Sequence, residues 1–329
     1  INLPANDKAA RQRELTTAEC KRLFDELAEA GTLWLLITGG EIMLRRDFEE
    51  IYLYARNQGF ILSIYSNATM VTPKRADFLA MYPPHLIEVT LYGATAETYE
   101  AVTRVPGSYK KCIDGLRLLA ERGLRVQLKT VLLNINSHEF LQMKAIAAEF
   151  GWEFRYDGMI HPRLNGDRTP TTLRLSPEEL VAVEQLDADR VEEWQEYCDG
   201  FLGRQAKGGE KTFNCGAAYQ SGHVDAYGMV SPCMITRSRA IDWRSTDFDT
   251  VWNGYLAETR ETRNTETTAC NSCEMSMVCT NCPGWSTLER GTLENRPIEW
   301  VCDSTKARVG AFAADAEKWL KNALCLEVV

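Results

Sequence analysis

The stretch Leu33-Trp-Leu-Leu-Ile37, followed directly by Thr38-Gly-Gly-Glu41, decides the fold of this 329-residue chain. Its first part is a short apolar run, which is typical of a strand buried on both faces of a parallel sheet. The glycines of its second part allow a tight turn. This turn has two interpretations: a strained strand-to-helix connection, or a close approach of backbone to a ligand, with Glu41 facing a cationic group.

The same strand–helix unit recurs along the first half of the chain. Thr16 and Glu19 form a capping-box pattern, which predicts a helix to about Ala30. Further strands are predicted over 61–65, 86–91, 126–131 and 152–156. Further helices are predicted over 47–58, 73–81, 109–121 and 139–150. This alternation predicts an α/β fold with parallel strands joined by right-handed crossovers.

Polar residues follow directly after the predicted strands, namely Glu41, the pair Ser66 and Asn67, and the Tyr92-Gly93 loop. The carboxyl ends of parallel strands carry the chemistry in a barrel and in a doubly wound sheet alike. Because the pattern opens on a helix, we expect a strand and its loop upstream of Ile1.

Four of the eleven cysteines fall in one short loop, as Cys270-Asn-Ser-Cys273 and Cys279-Thr-Asn-Cys282. Only five residues separate the two pairs, whereas zinc ribbons have about 15–20. Further cysteines flank the loop at Cys215, Cys233 and Cys302. The pattern predicts metal binding, with structural zinc and iron–sulfur clusters both open as interpretations.

Composition narrows the class of protein. The formal charge is −9, from 37 basic and 46 acidic residues, which argues against nucleic acid as the main partner. No apolar run is long enough to predict a membrane span. Cysteines clustered at metal-ligand spacing fit a reducing cytoplasm better than a disulfide framework.

Together, the Gly-Gly-Glu turn, the Ser-Asn pair and the cysteine array resemble the radical SAM superfamily, and the array resembles its SPASM-domain branch. Cys215, twelve residues, Gly228, four residues and Cys233 fit the first part of the SPASM pattern. Between these two cysteines, residues 223–230 predict a hairpin with Gly228 at its turn. Cys270, two residues, Cys273, five residues and Cys279 fit the second part, and Cys302 supplies the last cysteine.

This sequence departs from the pattern in two places. Two residues separate Cys279 from Cys282, where the family usually has three. The Cys-x3-Cys-x2-Cys loop, which binds the SAM-cleaving cluster in the family, is not in this sequence, and we expect it upstream of Ile1.

The resemblance implies a fold and a domain organisation. It implies a partial (β/α)6 TIM-like barrel over residues 1–160 and a connector over 161–211. A cysteine-rich SPASM auxiliary-cluster domain follows over 212–303, and a C-terminal helix over 304–329.

The resemblance also implies site residues. Gly39, Gly40 and Glu41 would receive the methionyl amino group of S-adenosyl-L-methionine (SAM), and Ser66 and Asn67 would approach its ribose. Lys129 is a candidate for SAM or substrate contact, provided that it faces the inside of the barrel. No catalytic residue is assigned.

Two auxiliary clusters are implied by the same resemblance. The ligands of the outer cluster would be Cys270, Cys273, Cys279 and Cys302. The ligands of the inner cluster would be Cys215, Cys233 and Cys282. Cys198 is a candidate for the fourth inner ligand, and its alternatives are a buried structural thiol and a position open to substrate.

The implied activity is that of an enzyme with 4Fe–4S clusters and SAM. Such an enzyme uses one electron from a reduced 4Fe–4S cluster to cleave SAM into methionine and a 5′-deoxyadenosyl radical, which abstracts hydrogen from the substrate. SPASM enzymes mostly modify peptides and proteins, so a ribosomally made precursor peptide with a thioether or carbon–carbon crosslink is expected. A flavodoxin or ferredoxin is the expected reductant.

Three alternatives stay open. A sulfatase-maturating enzyme carries an Asp base after the second hairpin cysteine, where this chain has Met234, which cannot accept a proton. A degenerate barrel could instead bind a peptide without SAM chemistry. A zinc-stapled barrel hydrolase is the third.

Overall fold

The computed structural model of the protein describes residues 7–204 and 211–321, which form two compact units. The first unit holds the described residues up to Met159, together with Asp225–Gly228 and Trp243–Asp249. The remaining described residues form the second unit. No helix among the described residues is long and apolar enough to cross a membrane.

The first unit is built on one parallel sheet whose five strands lie in chain order. These strands are β1 (Trp34–Ile37), β2 (Ile61–Ser66), β3 (Leu86–Thr90), β4 (Val126–Val131) and β5 (Glu153–Asp157). Each corresponds to a predicted strand. The expectation that the first strand is buried on both faces is wrong for β1, where Trp34 is 56% and Leu36 42% exposed. The predicted α/β class is confirmed.

The described residues 7–159 of this unit include seven α-helices, of which the first two precede β1 and the others connect the strands. The helices are α1 (Lys8–Arg13), α2 (Thr17–Glu29), α3 (Phe48–Asn57), α4 (Pro73–Met81), α5 (Ala96–Thr103), α6 (Ser108–Ala120) and α7 (Phe140–Glu149). Single 3-10 turns lie at Ile42–Leu44 and Ser137–Glu139. The sequence did not predict α1 or α5. Helix α5 is short and ends where Arg104 takes a left-handed backbone conformation with φ of 57°.

The two faces of the sheet differ in chemistry. One face packs on helices, as at Phe140 of α7, whose ring centroid lies 4.7 Å from that of Tyr156 on β5. The other face carries polar residues, because Tyr65 pairs with Glu88 and Lys129 pairs with Arg155 in the parallel register. The sheet is therefore apolar towards its helices. Its opposite side is charged at β3, β4 and β5 and carries the exposed apolar side chains of Trp34 and Leu36 at β1.

The second unit is mostly helical. Its helices are α8 (Pro177–Glu184), α9 (Ala188–Phe201), α11 (Ala257–Glu261), α12 (Pro283–Arg290), α13 (Glu299–Phe312) and α14 (Ala316–Lys321). A short α10 (Phe248–Thr250) lies where the chain passes from the first unit to the second. In the second unit 3-10 turns lie at Thr169–Leu173 and Ala269–Ser272, and a π-helical segment spans Val251–Leu256.

A small antiparallel sheet contains the hairpin that the sequence predicted. Strand β6 (His223–Val224) pairs with β7 (Met229–Ser231), and β8 (Ile241–Asp242) adds a third strand that was not predicted. Gly228 precedes β7 with φ of 81°, a conformation that favours glycine.

The predicted C-terminal helix begins earlier than expected and is interrupted. Helix α13 starts at Glu299, two residues after Pro297, so Cys302 lies in its first turns. The backbone becomes extended at Ala313, and α14 follows from Ala316. The predicted end of this helix, 322–329, lies outside the described residues.

Candidate functional site

Glu41 joins the carboxyl ends of β1 and β2. Its carboxylate accepts hydrogen bonds from the Ser66 hydroxyl at 2.9 and 3.0 Å and from the Asn67 backbone N–H at 2.8 Å. It also accepts one from the Met43 N–H at 3.1 Å, which caps the turn after β1. Three residues proposed for the SAM site, Glu41, Ser66 and Asn67, are thus brought together by one carboxylate.

The loop after β2 packs closely against α6. Ala68 takes φ of 57°, and its N–H donates to the Ser66 hydroxyl at 3.0 Å. A Cβ on Gly115 of α6 would lie 2.3 Å from the carbonyl oxygen of Ala68, closer than real Cβ contacts allow. Gly115 therefore lets the helix approach the backbone that carries Ser66 and Asn67.

Asn136 connects the loops after β3 and β4. Its side-chain amide donates to the carbonyls of Tyr92 at 3.1 Å and Val131 at 3.0 Å, and its amide oxygen accepts from the Leu133 N–H at 2.7 Å. The side chain is fully buried. Sequence reasoning missed this residue, because Tyr92 lies far from it along the chain.

Glu139 fixes the Tyr92-Gly93 loop in a second way. Its carboxylate accepts from the Ala94 N–H and the Thr95 hydroxyl, each at 2.6 Å, and from the Thr98 hydroxyl at 2.8 Å. Burial opposes the charged form, but these hydrogen bonds outweigh it and hold the pKa of Glu139 below its usual value. Sequence reasoning missed Glu139 as well.

Lys129 points to the charged face of the sheet, a side that the sequence left undecided. Its ammonium Nζ lies 3.0 Å from Oε2 of Glu88 and 3.0 Å from the centre of the Tyr65 ring. The same Glu88 oxygen accepts from Arg155 Nη2 at 2.8 Å. Burial lowers the pKa of Lys129, and the hydrogen bond to Glu88 opposes that effect.

In the second unit, Cys282 lies within electrostatic reach of Cys215 and Cys233. Burial is the main cause that raises the pKa of the Cys282 thiol, and both neighbouring thiols raise it further. The Trp285 N–H donates to Cys282 Sγ at 3.4 Å, and the Thr236 N–H donates to Cys233 Sγ at 3.4 Å. Both cysteines thus act on the Cys282 thiol, and the role of all three as ligands of an inner cluster stays a prediction.

The other four cysteines of the array are linked among themselves. Asn281 joins two of them, since its backbone N–H donates to Cys279 Sγ at 3.4 Å and its side-chain amide donates to Cys270 Sγ at 3.5 Å. Cys273 and Cys302 lie in one apolar cluster. Cys273 also raises the pKa of Cys279, although burial is the larger cause.

Cys198 lies in a different apolar cluster, packed with Val181 and Phe312, and is fully buried. Burial raises the pKa of its thiol to about 11. This position agrees with the alternative interpretation of Cys198 as a structural thiol.

The donor chemistry of the array fits thiolate-bound metal. Four of its sulfurs accept N–H hydrogen bonds (Cys233, Cys270, Cys279 and Cys282), and such bonds stabilise thiolates that bind iron–sulfur clusters and tune their potentials. Within residues 7–204 and 211–321, no three His, Cys, Asp or Glu side chains are arranged to hold a single metal ion. Iron–sulfur clusters differ in that each thiolate binds its own iron.

Near Cys282 in the second unit, the side chain of Arg174 packs on the rings of Trp285 and Trp300. The guanidinium of Arg174 lies 5.7 Å from the ring centre of Trp285 and 4.8 Å from that of Trp300. Its charge is paired with Glu289, which also accepts from the Trp285 indole N–H at 2.7 Å. Arg174 is therefore part of the packing around the array.

The described fold is that of a partial parallel barrel with a cysteine-rich second unit, and the sequence model of the Radical SAM superfamily matches residues 5–145. This match confirms the predicted resemblance to the radical SAM superfamily over residues 5–145, which make up less than half of the chain. The family implies a 4Fe–4S cluster and SAM.

Relatives extend the similarity over different shares of the chain. An AdoMet-dependent heme synthase of Methanosarcina barkeri is 26% identical over 303 residues, which cover 86% of this chain and 87% of the relative. The mycofactocin maturase MftC of Mycolicibacterium smegmatis is 31% identical over 144 residues, which cover 44% of this chain and only 36% of the maturase.

A solved structure of Streptococcus suis SuiB, bound to its precursor peptide SuiA, has the same fold. Its TM-score is 0.68 at 14% identity, over 87% of this chain and 69% of SuiB. At this identity the similarity shows the fold alone.

Proposed function

We propose that the protein is a radical SAM enzyme which carries two auxiliary iron–sulfur clusters and abstracts hydrogen from a peptide. Two observations support the proposal: Cys215 and Cys233 both raise the pKa of Cys282, and Asn281 donates hydrogen bonds to Cys279 and Cys270. The fold shared with SuiB and the similarity to MftC support a peptide substrate.

Under this proposal the residues of this chain bind SAM and the substrate, orient them and enclose them. Glu41 fixes the strand ends that would hold SAM, with Ser66 and Asn67 as its partners. Gly39 and Gly40 would bring backbone against the methionyl end of SAM, because they add no side chain there. A reduced 4Fe–4S cluster, when bound, supplies the electron that cleaves SAM.

The thiol groups would hold the auxiliary clusters. Cys215, Cys233 and Cys282 are the inner ligands of the proposal, and the outer ligands are Cys270, Cys273, Cys279 and Cys302. We assign Cys198 to the core instead. A flavodoxin or ferredoxin in the cytoplasm is the proposed electron donor, and the proposed product is a thioether or carbon–carbon crosslink.

A second candidate is the modification of a tetrapyrrole. It is favoured by the match to the AdoMet-dependent heme synthase, which spans 303 residues and so covers most of both chains. The sulfatase-maturating alternative lacks its base, because Met234 follows Cys233.

The test is anaerobic reconstitution of the full-length protein with iron and sulfide, followed by SAM and dithionite. We expect a brown protein that releases methionine and 5′-deoxyadenosine in equal amounts, and omission of dithionite is the control. Absence of 5′-deoxyadenosine from reconstituted protein with an intact Cys-x3-Cys-x2-Cys loop would contradict the proposal. Zinc in place of iron would contradict it as well.

A further inference from the structure

Four residues on the charged face of the sheet form a cluster, which we name the Glu88 cluster: Tyr65, Glu88, Lys129 and Arg155. One oxygen of Glu88 accepts from both cations, at 3.0 Å from Lys129 and 2.8 Å from Arg155. Within the cluster two positive charges face one negative charge, and the carboxylates of Glu153 and Asp157 flank Arg155 on the same face of β5. Glu88 is 7% exposed, so its carboxylate is held in a site of low polarity.

The two cations of the cluster can be reached by a ligand. The side chain of Arg155 is 54% exposed, whereas that of Lys129 is 19% exposed. A guanidinium presents a planar set of donors that matches a carboxylate, and an ammonium presents three. In a partly desolvated site these cations bind an anion more strongly than exposed cations would.

The cluster also lies near the carboxyl end of the sheet. Lys129 stands over the ring of Tyr65, and Tyr65 directly precedes Ser66, which bonds to Glu41. In register, Lys129 lies opposite Thr90, the last residue of β3. An anion held by Lys129 would therefore lie beside the edge at which we propose that SAM binds.

We infer that Lys129 and Arg155 bind a carboxylate of the substrate, with Glu88 as the internal counter-ion that holds both cations in position. This inference rests on the proposed function, and it names the chemical group that the substrate must carry. Acidic side chains of a peptide and the carboxylates of a tetrapyrrole share that chemistry. Lys129 then belongs to the substrate site, and the SAM site is left to the Glu41 group.

The experiment compares acid and neutral forms of two probes on anaerobically reconstituted, SAM-loaded full-length protein. One arm uses Fe-coproporphyrin III and its tetramethyl ester, followed by the Soret absorbance. The other arm uses a Glu-Ala repeat peptide and its Gln-Ala counterpart, followed by fluorescence anisotropy. In the arm that matches the substrate, we expect the acid form to bind about tenfold tighter than the neutral form.

Variants of the cluster residues then test whether the Glu88 cluster causes this preference for the acid form. K129Q and R155Q should each bring the acid-to-neutral ratio of dissociation constants towards one. E88Q should strengthen the preference, because both cations lose their internal partner. R125Q removes an exposed cation just before β4 and should leave the ratio unchanged.

The outcomes separate the inference from the proposed function. A ratio that K129Q and R155Q leave unchanged, or a wild-type protein that prefers neither acid form, would overturn the inference. Weaker SAM binding in K129Q would also overturn it, since Lys129 would then contact SAM. Release of 5′-deoxyadenosine without any probe reports on the proposed function alone.

Discussion

The carboxylate of Glu41 and the hydroxyl of Ser66 connect two neighbouring strand ends, with both carboxylate oxygens within 3.0 Å of the hydroxyl. The two residues are 25 positions apart and follow different strands. Because the carboxylate also accepts from the backbone of Asn67, it sets the spacing of the loops at which SAM is proposed to bind.

We expect Glu41→Gln to weaken SAM binding about tenfold and to lower the free energy of unfolding by about 2 kcal/mol. An amide keeps one acceptor but directs N–H groups at neighbouring donors. Equilibrium dialysis with SAM and urea denaturation measure the two effects. Glu50→Gln is the control, because Glu50 pairs with Lys21 at the surface. Unchanged SAM affinity with lowered stability would reduce Glu41 to a structural residue.

Gly115→Ala should destabilise the first unit by about 1–3 kcal/mol, because the new methyl group would press on the Ala68 carbonyl. Gly200→Ala on α9 is the matched control, since nothing lies within 4 Å of its Cβ position. That substitution should be neutral or stabilise by up to about 1 kcal/mol through helix propensity. Urea denaturation compares the two, and equal stabilities would contradict the close approach.

Much of the secondary structure of the first unit could be predicted from local sequence signals. Helix α4 was predicted to the residue, because Thr72 caps it and Pro73 occupies its first position. Asn136 and Glu139 were not predicted, since Asn136 reaches Tyr92 and Glu139 reaches Thr95 across more than 40 residues. Hydrogen bonds of this separation leave no periodic signal in the sequence.

The cysteine array, too, could be predicted only in part from the sequence. The spacing of Cys270, Cys273, Cys279 and Cys282 predicted metal binding but left zinc and iron–sulfur clusters open. The position of Cys198 depends on the packing of α9 against α13, which no short motif records. Sequence spacing therefore identified the array, and tertiary packing decided which thiols lie near one another.

Glu19 makes the first unit sensitive to acid. The hydrogen bond from Arg244 lowers the pKa of Glu19 to about 2, with help from the backbone and hydroxyl of Thr16. Because the folded pKa lies below the unfolded one, this stabilisation is present above about pH 4.5 and is lost as the pH falls towards 2.

Glu19→Gln should therefore lower stability near neutral pH and flatten its decline between about pH 5 and pH 3. Partial exposure of the pair keeps the effect modest. Urea denaturation at several pH values provides the measurement. Glu29→Gln, at the exposed end of the same helix, should keep the wild-type slope. An unchanged slope in Glu19→Gln would show that the ion pair adds nothing to folding.

Arg308 and Glu184 form a buried bidentate pair between α13 and α8, at 3.0 and 2.7 Å. Arg308→Met leaves the Glu184 carboxylate buried without its cation and should destabilise by about 3–5 kcal/mol. The double variant with Glu184→Leu should recover most of this loss. Lys110→Met, in an exposed pair with Asp114, should change stability by less than about 0.5 kcal/mol. The Arg308 guanidinium also lies 4.6 Å from the ring centre of Trp194. Failure of the double variant to recover would therefore assign the loss to this packing.

Substitution of single cysteines tests the division of the array into two groups. Cys282→Ala and Cys270→Ala should each remove about four irons per chain, because each disrupts one 4Fe–4S cluster and leaves the other bound. Cys198→Ala is the matched control and should keep the wild-type iron content, since its thiol packs in another apolar cluster. Iron and sulfide analysis of reconstituted variants, with electron paramagnetic resonance after reduction, measures the loss. If Cys198→Ala lost iron as Cys282→Ala does, Cys198 would be the fourth inner ligand. The protein would then have to repack α9 when the cluster binds.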